Sequence, residues 1–238
     1  MKVLSVLSLM PIVVGFDFNK FIATSAVSSL LTLPHNPVNM VTAYEQSSMP
    51  VIQTEQIEEM SNSISISKNN LYIYGSITAA SCEQLKNQLL EMDYNARVFK
   101  MTYNIDPPPI NLHIQSGGGS LMSAFYIVDL IQDLETPVHT YVDGYAASAA
   151  SLMSVVGNKR YMTKNSAILI HQLSSEKKGK YQELEDDMKN MQQFMEKIKK
   201  IYLAKTNIAL PKLNELLSHD LWLDAETCKN LGLVDEII

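Results

Sequence analysis

The sequence predicts an α/β domain of stacked β-α units with largely parallel strands, followed by one long helix. Two observations carry this. First, apolar runs of strand length, such as Ile110-Asn-Leu-His-Ile114, Pro137-Val-His-Thr-Tyr-Val142 and Ala167-Ile-Leu-Ile170, alternate with helical patterns through turns rich in glycine and alanine. Second, Tyr181 to Tyr202 places Tyr181, Leu184, Met188, Met191, Met195, Ile198 and Tyr202 at alternating spacings of three and four, with Lys, Glu and Asp between them. Such a seam suits both a core helix and a helix that packs on another subunit.

Residues 1 to about 60 carry no clean period and are broken by Pro34-His-Asn-Pro37 and Met49-Pro50. They read as an N-terminal extension, 1–60, ahead of a folded domain over 61–238. Val3 to Gly15 is shorter than the roughly 20 residues of a membrane span. With Lys2 ahead of it, it fits the apolar core of a signal peptide; a pro-segment or organelle-targeting extension fits as well. The first arginine is Arg97, which speaks against an Arg-rich mitochondrial type.

Within the domain, Ser63-Ile-Ser-Ile-Ser67 alternates with period two, and Leu71-Tyr-Ile-Tyr74 follows the turn Lys68-Asn-Asn70. Thr78 starts a helix to about Met92 whose apolar face is Ala80, Leu85, Leu89 and Met92. Arg97 to Tyr103 reads as another strand, and Pro107-Pro-Pro109 stiffens the next connection. His113 lies on the strand face opposite Leu112 and Ile114, as a packed or solvated side chain. Ser116-Gly-Gly-Gly-Ser120 leads into a helix from about Leu121 to Leu134; it lacks the Gly-Lys-Ser/Thr ending of a phosphate loop. The pattern then repeats as a strand, a turn at Gly144 and a helix over Leu152 to Val156 that stops at Gly157. After the long helix come a short helix over Leu213 to Leu217, an extended Ser218 to Leu223, a helix over Ala225 to Leu231 capped by Gly232, and an edge strand over Leu233 to Ile238.

Composition narrows the function. The 238 residues are 46% hydrophobic and 18% charged, enough for a full core. A net charge of −6 and the lack of a basic patch with interleaved aromatics speak against nucleic acid. Cys82 and Cys228 stand far apart and read as small buried apolar residues, and the five histidines do not cluster, so no structural metal and no cofactor are expected.

The chemistry gathers at Gly144-Tyr-Ala-Ala-Ser-Ala-Ala-Ser151. A strand that turns into a helix through small residues lets a substrate backbone approach, and the helix start offers unpaired N–H groups. A serine at that turn, Ser148, has its hydroxyl where charge develops beside amide donors. Ser151 and Ser154 fall inside the helix and are expected to bond back to it. His171 ends the strand Ile168-Leu-Ile170 at its C-terminal edge, where sites collect in stacked β-α units.

Gly144-Tyr-Ala-Ala-Ser148, Leu169-Ile-His-Gln172 and Ser116-Gly-Gly-Gly119 resemble, in order and spacing, the signature stretches of the Clp protease proteolytic subunit, ClpP; the resemblance covers about Leu71 to Ile238. It implies a ClpP/crotonase-like fold of stacked β-β-α units with a long protruding helix. It maps the nucleophile on Ser148 and the base on His171. The orienting acid falls on Asp220 in His219-Asp-Leu-Trp-Leu223, where the family has Arg in place of His219, with Asp224 as the alternative. The oxyanion donors map on the amides of Gly118 and Ala149. Two further departures are Gly117, where the family has proline, and Leu173, where proline is common. The resemblance also implies two stacked heptameric rings of this chain and unfolded polypeptide substrates. A separate ATP-driven AAA+ unfoldase would consume the ATP. The implied compartment is cytoplasm or an organelle stroma of plastid type, with no membrane span.

Three other readings compete. A hydrolase of similar architecture with a Ser-Lys dyad would use Lys159 or Lys164 as base. A catalytically impaired ring subunit would be expected to lose triad members. A crotonase-type hydratase shares the paired-amide site but has no use for a serine at the helix start.

Overall fold

The computed structural model describes residues 69–238, together with the backbones of β1 (Val13–Gly15) and β2 (Ser63–Ser67). The remainder of the extension expected over 1–60 lies outside the described residues.

β2 pairs antiparallel with β3 (Asn70–Tyr74), and Ser67 faces Asn70, so the hairpin forms where the sequence places it. Thr78 then caps α1 (Ala79–Tyr103). Its hydroxyl accepts from Ser81 N–H at 3.0 Å and Ser81 Oγ accepts from Thr78 N–H at 2.9 Å, a reciprocal cap. The helix does not stop at Met92, and Arg97 to Tyr103 is not a strand. Asp93 and Arg97, one turn apart, are ion-paired at 3.1 Å, and Thr102 bonds back to the Val98 carbonyl at 2.8 Å. Only at Asn104, in the left-handed region with φ 53°, does the helix end, through an N–H donated to the Lys100 carbonyl. Val98, Phe99, Met101 and Tyr103 are exposed, so their β-like character meets no sheet.

The sheet is otherwise parallel at its centre, as expected. β4 (Ile110–Ser116) lies between β3 and β6 (Val138–Ala147), and β7 (Lys159–Met162), which the sequence reading missed, pairs parallel with the first half of β6. β10 (Glu236–Ile237) closes the edge beside β7. β8 (Ala167–Leu169) pairs parallel with the last residues of β6 and antiparallel with β9 (Trp222–Leu223). The short β5 (Gly118–Ser120) pairs antiparallel with β1.

Alternation decides the two faces of the sheet. Leu71, Ile73, Ile110, Leu112, Ile114, Val138 and Val142 are buried in the core shared with α2 (Leu121–Asp133) and α3 (Ala149–Val155). On the other face one aromatic per strand forms a ladder, Tyr72–His113–Tyr141–Tyr161, with centroids 4.6–4.7 Å apart. His113 is therefore a packed residue, and its Nδ1 lies 2.8 Å from Asp143 Oδ2.

α4 (Tyr181–Lys205) resolves both readings of its seam. Ile198 and Tyr202 are buried and Met191 and Met195 pack against the core, whereas Tyr181, Leu184 and Met188 at the other end are exposed. Two short helices, α5 (Leu210–Leu217) and α6 (Ala225–Asn230), complete the chain, and Gly232 follows α6 with φ 71°. Cys82 and Cys228 are buried thiols whose desolvation pushes them up to about 11 and about 12. Among the described residues no helix is long and apolar enough to cross a membrane, and no group of three His, Cys, Asp or Glu could hold a metal ion.

Candidate active site

β6 does not turn at Gly144. Gly144 has φ 92° within the strand, which runs on to Ala147; the turn into α3 is made by Ser148 itself. Ser148 sits at φ 55°, ψ −125°, a conformation that costs a non-glycine residue about 1–3 kcal/mol and persists only when its surroundings impose it. Those surroundings are tight. Ala146, Ala147, Ala149 and Ala150 are all buried, and Ser148 N–H donates to the Leu169 carbonyl at 2.9 Å.

The glycine turn presses against this serine. A Cβ on Gly118, whose φ is 97°, would lie 2.7 Å from Ser148 Cβ and 2.8 Å from the Ala147 carbonyl. Gly119, at φ 147°, is bridged to Ile77, where a Cβ would collide with the Ile77 carbonyl. Gly117 has nothing within 4 Å of its missing Cβ, so a bulkier residue fits there.

Fold topology brings His171 and Asp220 together. His171 follows the end of β8, and its Nδ1 lies 2.8 Å from Asp220 Oδ1, in the short connection between α5 and β9. The extended run expected from Ser218 begins only at Trp222, because Ser218 still has helical dihedrals. A carboxylate can only accept, so the Nδ1–H donates and Nε2 is left as the basic nitrogen. The imidazole is 8% exposed and the carboxylate 59%. Among the described residues three buried side-chain polar atoms have no hydrogen-bond partner: Gln88 Oε1, Ser148 Oγ and His171 Nε2. The hydroxyl–imidazole hydrogen bond expected between the last two is thus not made in this conformation. Buried polar atoms are normally satisfied, and two of these three exceptions fall on residues singled out by sequence, which makes this the candidate site.

Of the two expected amide donors, Ala149 is the first residue of α3, where helix amides have no partner within the helix. The Gly118 N–H is engaged: it donates to Ser116 Oγ at 3.1 Å. Ser116 was not singled out from sequence, because only the turn geometry brings its hydroxyl back onto the amide two residues ahead. Ser151 and Ser154 behave as expected, bonding back to the carbonyls of Ser148 at 2.6 Å and Ser151 at 3.0 Å. Asp224 caps α6 through the Thr227 N–H at 2.8 Å, which occupies the carboxylate away from His171. Lys159 pairs with His139, at the opposite end of β6 from Ser148 and on the order of 25–30 Å along the strand. Lys159 and Lys164 are both exposed.

A family model described as Clp protease matches residues 55–238. The chain belongs to the Clp protease family. It is 30% identical over 132 residues to the ATP-dependent Clp protease proteolytic subunit 2 of Treponema pallidum (strain Nichols), covering 55% of this chain and 66% of that relative. The protein of the same description from Bacillus licheniformis is 31% identical over 131 residues, 54% of this chain and 69% of the relative. That from Treponema denticola is 30% identical over 174 residues, 72% of this chain and 82% of the relative. The Clp protease family is one of serine peptidases, and the mixed α/β architecture is consistent with its fold.

Proposed function

We propose that this Clp protease family member is an active serine endopeptidase in which Ser148 attacks, His171 transfers the proton and Asp220 orients His171. The observation that carries this is the His171–Asp220 contact at 2.8 Å with Ser148 Oγ and His171 Nε2 both buried and unpartnered. Asp220 holds the tautomer with the proton on Nδ1, so that Nε2 takes the Ser148 proton as Oγ bonds to the peptide carbonyl carbon. The tetrahedral oxyanion is received by the amides of Ala149 and Gly118, the latter exchanging its Ser116 hydroxyl for the oxyanion. As the C–N bond breaks, His171 returns the proton to the leaving amine; water then hydrolyses the acyl-enzyme by the same route in reverse. Catalytic hydrogen bonds of this kind commonly tighten only with substrate in place.

The substrate is an extended, unfolded polypeptide. Support comes from β5, which contains Gly118 and already pairs antiparallel with an extended segment, Gly15 facing Gly118. A peptide that takes the place of that segment along β5 brings its carbonyls past the oxyanion donors. The protein works as a ring assembly, two heptamers stacked through the exposed ends of α4, and receives chains from a separate AAA+ unfoldase that consumes the ATP. No metal or cofactor takes part.

Labelling with a fluorophosphonate, read by mass spectrometry of the modified peptide, tests the assignment. Label on Ser148, lost in Ser148→Ala and retained on Ser148 in Ser151→Ala, is the expected result. Label that survives Ser148→Ala refutes it.

A further inference from the structure

We propose that Tyr202 is a positioning residue for the oxyanion hole: through Ser151 it aims the peptide unit that joins Ser148 to Ala149. The inference rests on the reading of Ser148 as nucleophile. Ser151 Oγ lies 2.6 Å from the Ser148 carbonyl and 2.7 Å from the Tyr202 hydroxyl. A carbonyl can only accept, so the Ser151 proton is committed to it. Tyr202 must therefore donate to Ser151, and the relay has one direction, Tyr202 O–H to Ser151 Oγ–H to Ser148 C=O.

The consequence follows from peptide geometry. The Ser148 carbonyl and the Ala149 N–H belong to one rigid trans plane and point in opposite directions. Holding the carbonyl against α3 from behind therefore turns the Ala149 N–H outward, toward the place where the oxyanion forms. The plane needs holding, because Ser148 occupies φ 55°, ψ −125°. The Ser151 N–H adds a weaker contact to the same carbonyl at 3.1 Å. Tyr202 suits the task. It is 2% exposed, and burial pushes its phenol far above the ordinary range, so it remains a donor at any working pH. It also belongs to α4, whose other end carries the exposed Tyr181, Leu184 and Met188, so the relay links that helix to the nucleophile turn.

A purely structural role for the pair makes a different prediction, and three variants separate the two. Tyr202→Phe keeps the ring and removes the donor; we expect kcat on a fluorogenic peptide to fall on the order of tenfold with KM within about twofold. Ser151→Ala leaves the Tyr202 hydroxyl buried without a partner, so the melting temperature falls along with kcat. In Ser151→Ala/Tyr202→Phe both partners are gone, and the melting temperature recovers toward that of the parent while kcat stays low. If kcat recovers with the melting temperature in the double variant, or is unchanged in Tyr202→Phe, the positioning role is wrong. Fluorophosphonate labelling of Ser148→Ala in parallel distinguishes the two levels: label persisting there refutes the nucleophile and not the relay.

Discussion

His171 and Asp220 are 49 positions apart in the chain and meet at 2.8 Å, imidazole Nδ1 to carboxylate oxygen. The imidazole is almost fully enclosed and the carboxylate faces solvent. In the proposed triad Asp220 acts by holding one tautomer rather than by contributing a buried charge. Asp220→Asn should lower kcat by a factor on the order of 10² to 10⁴, toward the lower end because water reaches the site. Asp224→Asn retains its helix cap and should leave kcat within about twofold. Steady-state kinetics on a peptide substrate check both; equal losses in the two variants would move the orienting role off Asp220.

The three adjacent glycines should respond differently to the same change. Gly117→Ala meets open space and should fold and cleave like the parent. Gly118→Ala drives a methyl group into Ser148 and should abolish fluorophosphonate labelling. Gly119→Ala strikes the Ile77 backbone and should lower stability by about 1–3 kcal/mol or more. Thermal unfolding together with labelling yields would reveal the order, and a Gly118→Ala protein that labels at the parental rate would mean that the turn does not constrain the nucleophile.

Acid should weaken the contact between β7 and the C-terminus. Asp235 Oδ1 lies 2.5 Å from Arg160 Nη2, and its Oδ2 accepts from Arg160 Nε at 3.1 Å and Arg160 N–H at 2.8 Å. Partial burial by itself raises the carboxyl pKa, but the hydrogen bonds and charge of Arg160 together outweigh it and hold the pKa below the usual range. A folded-state pKa below the unfolded one contributes stability above the unfolded value of about 3.9. That contribution disappears as pH falls through the folded value. Denaturant titrations should therefore show the parent more stable than Asp235→Asn near neutrality, with the gap closing below about pH 4. A gap independent of pH would dissociate the stabilisation from this carboxylate.

Assembly should depend on the protruding end of α4. Tyr181, Leu184 and Met188 are 81%, 42% and 58% exposed, an apolar stripe on a helix otherwise lined with Lys, Glu and Asp. Leu184→Glu/Met188→Glu places charge on that stripe without touching Ile198 or Tyr202. If the proposed double ring is the assembly, sedimentation velocity should show smaller species than the parent, with the melting temperature of the subunit within a few degrees of it. An unchanged sedimentation coefficient would remove this stripe from the proposed ring–ring contact.

Local signals were legible from the chain alone. The hairpin from Ser63 to Tyr74, the Thr78 cap, the alternation of β4, the length of α4 and the serine turn all rest on neighbours within a few residues. So do the motifs that place the chain in the Clp protease family, and the matched family agrees with them. Local signals also misled. Arg97 to Tyr103 has strand-like residues, yet ion pairing at Asp93 and the preceding turns of α1 keep it helical. Gly144 looked like the turn into α3, yet β8 pairs with Tyr145 to Ala147 and keeps the strand going to Ser148. Pairing across the sheet overrode local preference in that case.

Sequence by itself determined the family and the order of elements that carry the candidate site, because residue type and short-range periodicity are properties of adjacent positions. Tertiary structure alone decided which carboxylate meets His171, which hydroxyl holds the Gly118 amide, and that Tyr202 reaches the Ser148 turn from fifty-odd residues away. Those choices depend on how strands register and helices pack across long sequence separations, and a contact formed by chain closure leaves no periodic trace in the residues that make it.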